Sequence, residues 1–188
     1  MDIVLASGSP RRKELLETLG LEFTICPAKG EECPPQGVGP DETVKALSLA
    51  KAREVAQIYP EALIIAADTI VWADSRILGK PRSEAQAEEM LALLSGSSHE
   101  VYTGVTLICG EKTVCRSECT KVFFRDLSDG EIRAYVKTGE PMDKAGAYGI
   151  QGRAAMMVRR IEGDYFNVMG LPLCALGQML EQIGVQLF

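Results

Sequence analysis

The eleven residues LIIAADTIVWA, Leu63 to Ala73, constrain the fold more than any other stretch of the chain. A strand that is apolar throughout, and not only at alternate positions, is covered on both faces, so helices must flank the sheet it belongs to. Asp68 and Thr69 interrupt the run. A turn-capping aspartate would end the strand, yet Ile70, Val71 and Trp72 continue it. Burying an unpaired carboxylate costs on the order of several kcal/mol, so Asp68 requires a partner or a metal and is the first candidate functional residue.

Around this strand the pattern alternates between the two element types. Ile3 to Ala6 is a short apolar run that breaks at Ser7-Gly8-Ser9 and gives way to a helical stripe of Leu15, Leu16 and Leu19, stopped by Gly20. Ser9 suits the N-cap of that helix and Pro10 its first position, where a missing N–H costs nothing. A strand is expected at Leu21 to Ile25, followed by a long Pro- and Gly-rich loop over residues 27–40. Loops of that length in compact domains are often functional. Residues 42–58 place Val44, Leu47, Val55 and Ile58 on one helical face, and Lys51 falls on it too. Ser83 and Gln86 make a capping-box pattern for a helix over 83–95 with Ala87, Met90, Leu91 and Leu94 inward. His99 to Cys109 and Thr113 to Phe124 read as a hairpin turning at Gly110. Ser128 and Glu131 make a second capping box, for a helix through Lys137. Residues 139–152 read as a shaped loop, Met156–Ile161 and Tyr165–Met169 bracket a Gly163-Asp164 turn, and Leu173, Leu176, Leu180 and Ile183 mark a closing helix. Strands and helices that alternate, with a hairpin entering midway, predict an α/β fold with a mixed sheet. With 188 residues and no repeat or linker, a single domain over 1–188 is expected.

Several function classes are disfavoured. Twenty Lys and Arg against 26 Asp and Glu leave a formal charge of −6, which argues against a broad surface for tracking DNA or RNA, so any anion site is local. No apolar run approaches the roughly 18 residues of a membrane span, and the basic residues near the N-terminus follow the apolar stretch instead of preceding it, so a cytoplasmic protein without membrane contact is expected. The six cysteines form no CxxC pair and His99 is the sole histidine, so a Cys/His zinc site lacks ligands and the thiols are expected free. His99 itself reads as a surface or packing residue at a strand start.

Three further features join Asp68. Arg11 and Arg12 stand in the first turn of a helix, where the macrodipole already disfavours cations; with the N–H groups of Ser7-Gly8-Ser9 they would make a phosphate cradle. Lys51 lies on the inward stripe of its helix between Ala50 and Ala52, where snorkelling is the alternative. Lys80 is held between Gly79 and Pro81, which aims its side chain. Four cations with Asp68 and Glu31 or Glu32 of the long loop suit a polyphosphate with a divalent ion, and direct attack by water is the simplest chemistry.

LASGSPRRKELLETLG at the start, AADTIVW at 66–72, LGKP at 78–81, HEVYTGV at 99–105, DKAGAYGIQG at 143–152 and GDYFNVMGLPL at 163–173 together resemble the Maf family of nucleoside triphosphate pyrophosphatases over almost the whole chain. The resemblance implies an elongated Maf/ITPase-like α/β fold, a mixed central sheet flanked by helices with a central cleft. It implies hydrolysis between the α and β phosphates with a divalent cation such as Mg²⁺ or Mn²⁺, clearance of nucleotides, a homodimer and a link to septum formation through cell-division partner proteins.

Position by position, the resemblance makes Asp68 the catalytic aspartate, either proton acceptor or metal ligand, and Glu32 its loop partner and second metal ligand, with Glu31 one residue out of register. Lys51 and Lys80 match phosphate-binding lysines, and Ser7, Arg11 and Arg12 the N-terminal phosphate loop. Arg12, Thr69 and Gln151 match the positions of the subfamily that prefers dTTP and UTP to 7-methyl-GTP. A glutamine amide can pair with the O4 and N3–H edge of uracil or thymine. Two alternatives stand beside this reading: a 7-methyl-GTP pyrophosphatase, and a nucleotide-sensing inhibitor of cell division that acts by partner binding.

Overall fold

The computed structural model describes residues 1–30 and 33–185. Along them run β1 (Ile3–Leu5), α1 (Pro10–Thr18), β2 (Thr24–Ile25), α2 (Pro40–Ile58), β3 (Leu63–Ala73), β4 (Arg76–Leu78), α3 (Glu84–Leu94), β5 (Ser98–Cys109), β6 (Lys112–Phe124), α4 (Asp129–Val136), β7 (Val158–Glu162), α5 (Tyr165–Met169) and α6 (Leu173–Ile183). The strands form one mixed sheet in the order β2-β1-β3-β5-β6-β7, with β4 paired to β3. The α/β class and the flanked mixed sheet are those the sequence predicts. No helix among the described residues is long and apolar enough to cross a membrane.

The chain divides into two compact units, residues 1–68, 103–118 and 170–188 in the first, 69–102 and 119–169 in the second, with boundaries inside β3, β5 and β6. In the first unit β1 pairs in parallel with β2 and with β3, where Val4 faces Ile64 and Leu5 faces Ile65. One face of this sheet is covered by α2. Alternate residues of a strand share a face, and Ile64 and Ala66 of β3 pack with Ile108 of β5 against Ala52 and Val55. At the other end of α2, a Cβ on Gly104 would fall on the Val44 carbonyl, so only glycine lets helix and β5 approach this closely. Between these contacts the Ser48 and Thr106 hydroxyls satisfy one another at 2.8 Å in a fully buried position.

Three sequence expectations change here. Ile58 is 60% exposed, because it is the last residue of α2 and lies past the start of β3; Tyr59 closes the cluster instead. The second strand shrinks to Thr24–Ile25. Ser9 occupies the N-cap of α1 and Pro10 its first position, but the Ser9 side chain makes no capping bond; its N–H donates to the Ser7 hydroxyl at 3.2 Å.

In the second unit, β3 pairs antiparallel with β4 and β6 with β7. Ala87, Met90, Leu91 and Leu94 of α3 are buried as expected. Ser83 accepts from the Gln86 N–H, but the Gln86 side chain accepts from Arg82 and not from Ser83, so the predicted box is half formed. The Ser128–Glu131 box is complete. His99 is 2% exposed, which settles it as a packing residue and not a surface one. Beyond the Gly163-Asp164 turn, residues 165–169 form a helical turn.

Candidate active site

In the first unit the register that packs α2 on β3 also brings two of the candidate residues together. Asp68 follows Ile64 and Ala66 on the α2-facing side of β3, and Lys51 precedes Val55 by one turn on the sheet-facing side of α2. Lys51 Nζ therefore meets Asp68 Oδ1 at 2.5 Å, both side chains largely buried. The buried carboxylate has found a cation, and the inward lysine is aimed at it instead of snorkelling to water.

The Ser7–Ser9 loop follows β1, the strand next to β3 in the sheet. The parallel register pairs Ile3 to Leu5 with Leu63 to Ile65, and Ala6 N–H donates to Ile65 O just before the loop begins. The loop leaves the sheet at the carboxyl end of β1, the usual side for ligands in open α/β sheets. Ser7 is buried, and its hydroxyl accepts from Arg12 Nη1 at 3.1 Å as well as from Ser9 N–H. Arg12 Nε donates to the Gly170 carbonyl at 2.8 Å, so the guanidinium is clamped between the loop and the chain leading into α6. The predicted cradle is thus partly turned inward: Arg12 organises the loop, and Arg11 is half-buried on the same turn.

In the second unit one loop, residues 144–152, contains Gln151 and bonds to the residue before Lys80, while Thr69 lies on β3 two residues before the loop's contact there. Thr69 shares its face of β3 with Val71, against which Gly146 packs; a Cβ on Gly146 would come to 3.0 Å of Val71, and its φ of +69° is one that glycine adopts without strain. Gly146 N–H donates to the carbonyl of Gly79, the residue before Lys80, at 3.1 Å. Lys80 and Gln151 are both exposed.

The chain around Gln151 is held by a residue that sequence reasoning missed. The Glu140 carboxylate accepts from the Tyr135 hydroxyl at 3.0 Å and from Arg153 N–H at 3.2 Å, while Lys144 Nζ donates to the Glu140 carbonyl. No periodicity marks such a role, because Glu140 lies in a short 3₁₀ turn whose shape comes from tertiary contacts. In the first unit Glu54 of α2 likewise accepts from Lys29 and Gly30 N–H, at 2.7 and 3.0 Å, and those bonds hold its carboxyl below the usual range.

Glu31 and Glu32 lie outside the described residues. Among the described residues no three of His, Cys, Asp and Glu come together in a metal-binding group.

Known proteins resemble the chain over nearly its full length. Proteins named dTTP/UTP pyrophosphatase from Bacillus cytotoxicus and Moorella thermoacetica are each 52% identical to this chain, covering 95% and 99% of it and 94% and 97% of their own lengths. One from Symbiobacterium thermophilum is 50% identical over 99% of this chain and 96% of its own. Among solved structures, the Staphylococcus aureus Ham1 protein (14% identical, TM-score 0.52, covering 97% of this chain and 100% of that one) and a HAM1 protein from Coxiella burnetii (17%, 0.51, 97% and 99%) share the fold. The family model described as Maf-like protein matches residues 2–183, and the chain belongs to that family.

Proposed function

We propose that the chain hydrolyses dTTP and UTP to the nucleoside monophosphate and pyrophosphate. Its relatives at 52% identity over nearly the whole length bear that activity in their names. The structural observation that supports the site assignment is the buried Lys51–Asp68 pair, whose aspartate stands on the strand beside the one leading into the Ser7–Ser9 loop. An acid held by a lysine in an apolar strand serves no packing purpose that alanine or valine would not serve better.

Hydrolysis of the anhydride needs a water directed at the α-phosphorus and positive charge where the pyrophosphate leaves. Asp68 accepts a hydrogen bond from that water and orients it, and Lys51 fixes the carboxylate and adds charge. Arg11 and Lys80 take phosphate oxygens, and Arg12 with Ser7 holds the N-terminal loop in shape for them. Thr69 and Gln151 read the pyrimidine, and Glu32 assists Asp68.

A divalent cation fits this chain as an ion brought with the nucleotide. Asp68 offers hard carboxylate oxygens, the donor that Mg²⁺ uses beside substrate phosphates, and no all-protein cage of three ligands exists among the described residues. When bound, such an ion neutralises phosphate charge. The same reading takes residues 1–188 as one functional domain and includes a homodimer, cell-division partner proteins and a cytoplasmic location. Sedimentation of the purified protein tests the dimer.

The deciding experiment incubates purified protein with Mg²⁺ or Mn²⁺ and a panel of nucleotides and resolves the products. UMP or dTMP with pyrophosphate is expected. Diphosphate with orthophosphate overturns the bond assignment, and a preference for 7-methyl-GTP overturns the base assignment. Tight binding without turnover points to the nucleotide sensor.

A further inference from the structure

The proposed chemistry makes no use of His99, yet at 2% exposure it is buried more completely than Tyr135 or Tyr148 of the same unit. His99 Nε2 lies 2.7 Å from the Tyr148 hydroxyl. His99, Phe124 and Tyr148 close a triangle of edge-to-face contacts with ring centroids 5.1, 5.3 and 4.8 Å apart. Burial lowers the histidine to about 4 and pushes the tyrosine up, so both are neutral across the physiological range. His99 Nδ1 is buried without a hydrogen-bond partner among the described residues. The Tyr148 hydroxyl is therefore the one polar anchor of this ring.

Tyr148 sits in the middle of the 144–152 loop. Just before it, Gly146 (φ +69°) and Ala147 (φ +60°) are both left-handed, and Ala147 is a fully buried non-glycine residue. Conformations of this kind persist only where the surroundings over-determine them. Gly146 is tied to Gly79, next to Lys80; Gln151 follows Tyr148 by three residues. An anchor at Tyr148 thus fixes the chain on either side.

We propose that His99 and Tyr148 are a positioning pair whose buried hydrogen bond locks the 144–152 loop and thereby sets Lys80 and Gln151 for the nucleotide. Neither ring touches substrate. The inference rests on the roles given above to Lys80 and Gln151. Loosening the loop weakens capture of the nucleotide and discrimination of its base more than it slows the step at Asp68.

Tyr148→Phe removes the hydroxyl and keeps the ring. For UTP and dTTP, KM should rise about fivefold or more, by a larger factor than kcat falls, and the kcat/KM preference for UTP over CTP should fall about threefold. Backbone amides at 145–152 should exchange faster while those of β5 do not. His99→Gln, which can still reach the hydroxyl, should lie between wild type and Tyr148→Phe. Unchanged KM and unchanged UTP:CTP preference in Tyr148→Phe overturn the proposal even if the melting temperature drops. Should His99→Gln fail to fold, Tyr148→Phe decides alone. Gln151→Ala run in parallel separates the two failures: a flat profile there with a shifted Tyr148→Phe sinks the base-reading role of Gln151 and leaves the anchor standing.

Discussion

Lys51 of α2 and Asp68 of β3, 2.5 Å apart, meet because the helix face carrying Val44, Ser48, Lys51 and Val55 lies along the strand face carrying Ile64, Ala66 and Asp68. Asp68→Asn preserves shape and removes charge. It should lower turnover by about 100-fold or more while nucleotide binding stays measurable by calorimetry. Near-normal turnover would remove Asp68 from its role. Lys51→Met should cost about 1–3 kcal/mol of stability in urea unfolding, and Asp68→Asn in the same chain should restore part of it, since the carboxylate then no longer needs the ammonium. Additive losses would show that the pair is not coupled.

Arg12 spans two separate acceptors, the Ser7 hydroxyl and the Gly170 carbonyl. A lysine ammonium lacks the planar fork that reaches both, so Arg12→Lys is not conservative here. The loss of one such bond predicts a stability decrease of about 1 kcal/mol and a raised KM for triphosphates. Ser7→Ala should act in the same direction, because it strips the acceptor from Arg12 and from Ser9 N–H together. Wild-type unfolding midpoints in both variants would show that the clamp does not order the loop.

Much of this was legible in the sequence where a single period governs the structure. The continuous apolar run of β3, the inward stripes of α2 and α3 and the Ser128–Glu131 box follow from local spacing, and so does the conflict posed by Asp68. For His99 the sequence leaves surface and packing roles open, and its burial on the face of Val101 and Thr103 emerges only in the structure. What no local rule carried is tertiary. Ile58 has the right spacing to be inward, but it lies past the start of β3. Ser9 has the right chemistry to cap α1, but its side chain makes no capping bond. The Glu140 network and the left-handed pair at 146–147 depend on contacts with residues far along the chain, so the loop's identity was readable and its shape was not.

Gln151 is exposed, so substitution there tests recognition with little disturbance of folding. Gln151→Glu replaces an amide donor with a second acceptor and should reduce selectivity for UTP and dTTP, with stability changed by no more than about 0.5 kcal/mol. Product analysis over a panel of four nucleoside triphosphates reads the change. An unaltered substrate profile in a normally folded variant would place base recognition elsewhere.

The buried histidine makes a distinct contribution to acid sensitivity. Its folded value of about 4 lies below the ordinary 6.5, so between those limits the unfolded chain binds the proton and the folded chain does not. Stability from this group is complete above pH 6.5 and declines as pH falls toward 4, by about 3 kcal/mol in all. Carboxylates act lower: Glu131, held at about 2 by Arg125 and by the Ser128 N–H and hydroxyl, and Glu54, held down by backbone N–H groups, withdraw their contributions as pH falls below the normal glutamate range. The two effects therefore separate by pH window. Urea unfolding of wild type and His99→Gln at pH 7, 6, 5 and 4.5 should give a steeper loss for wild type, because glutamine does not titrate. Parallel slopes across that window would mean that His99 does not resist protonation in the folded protein.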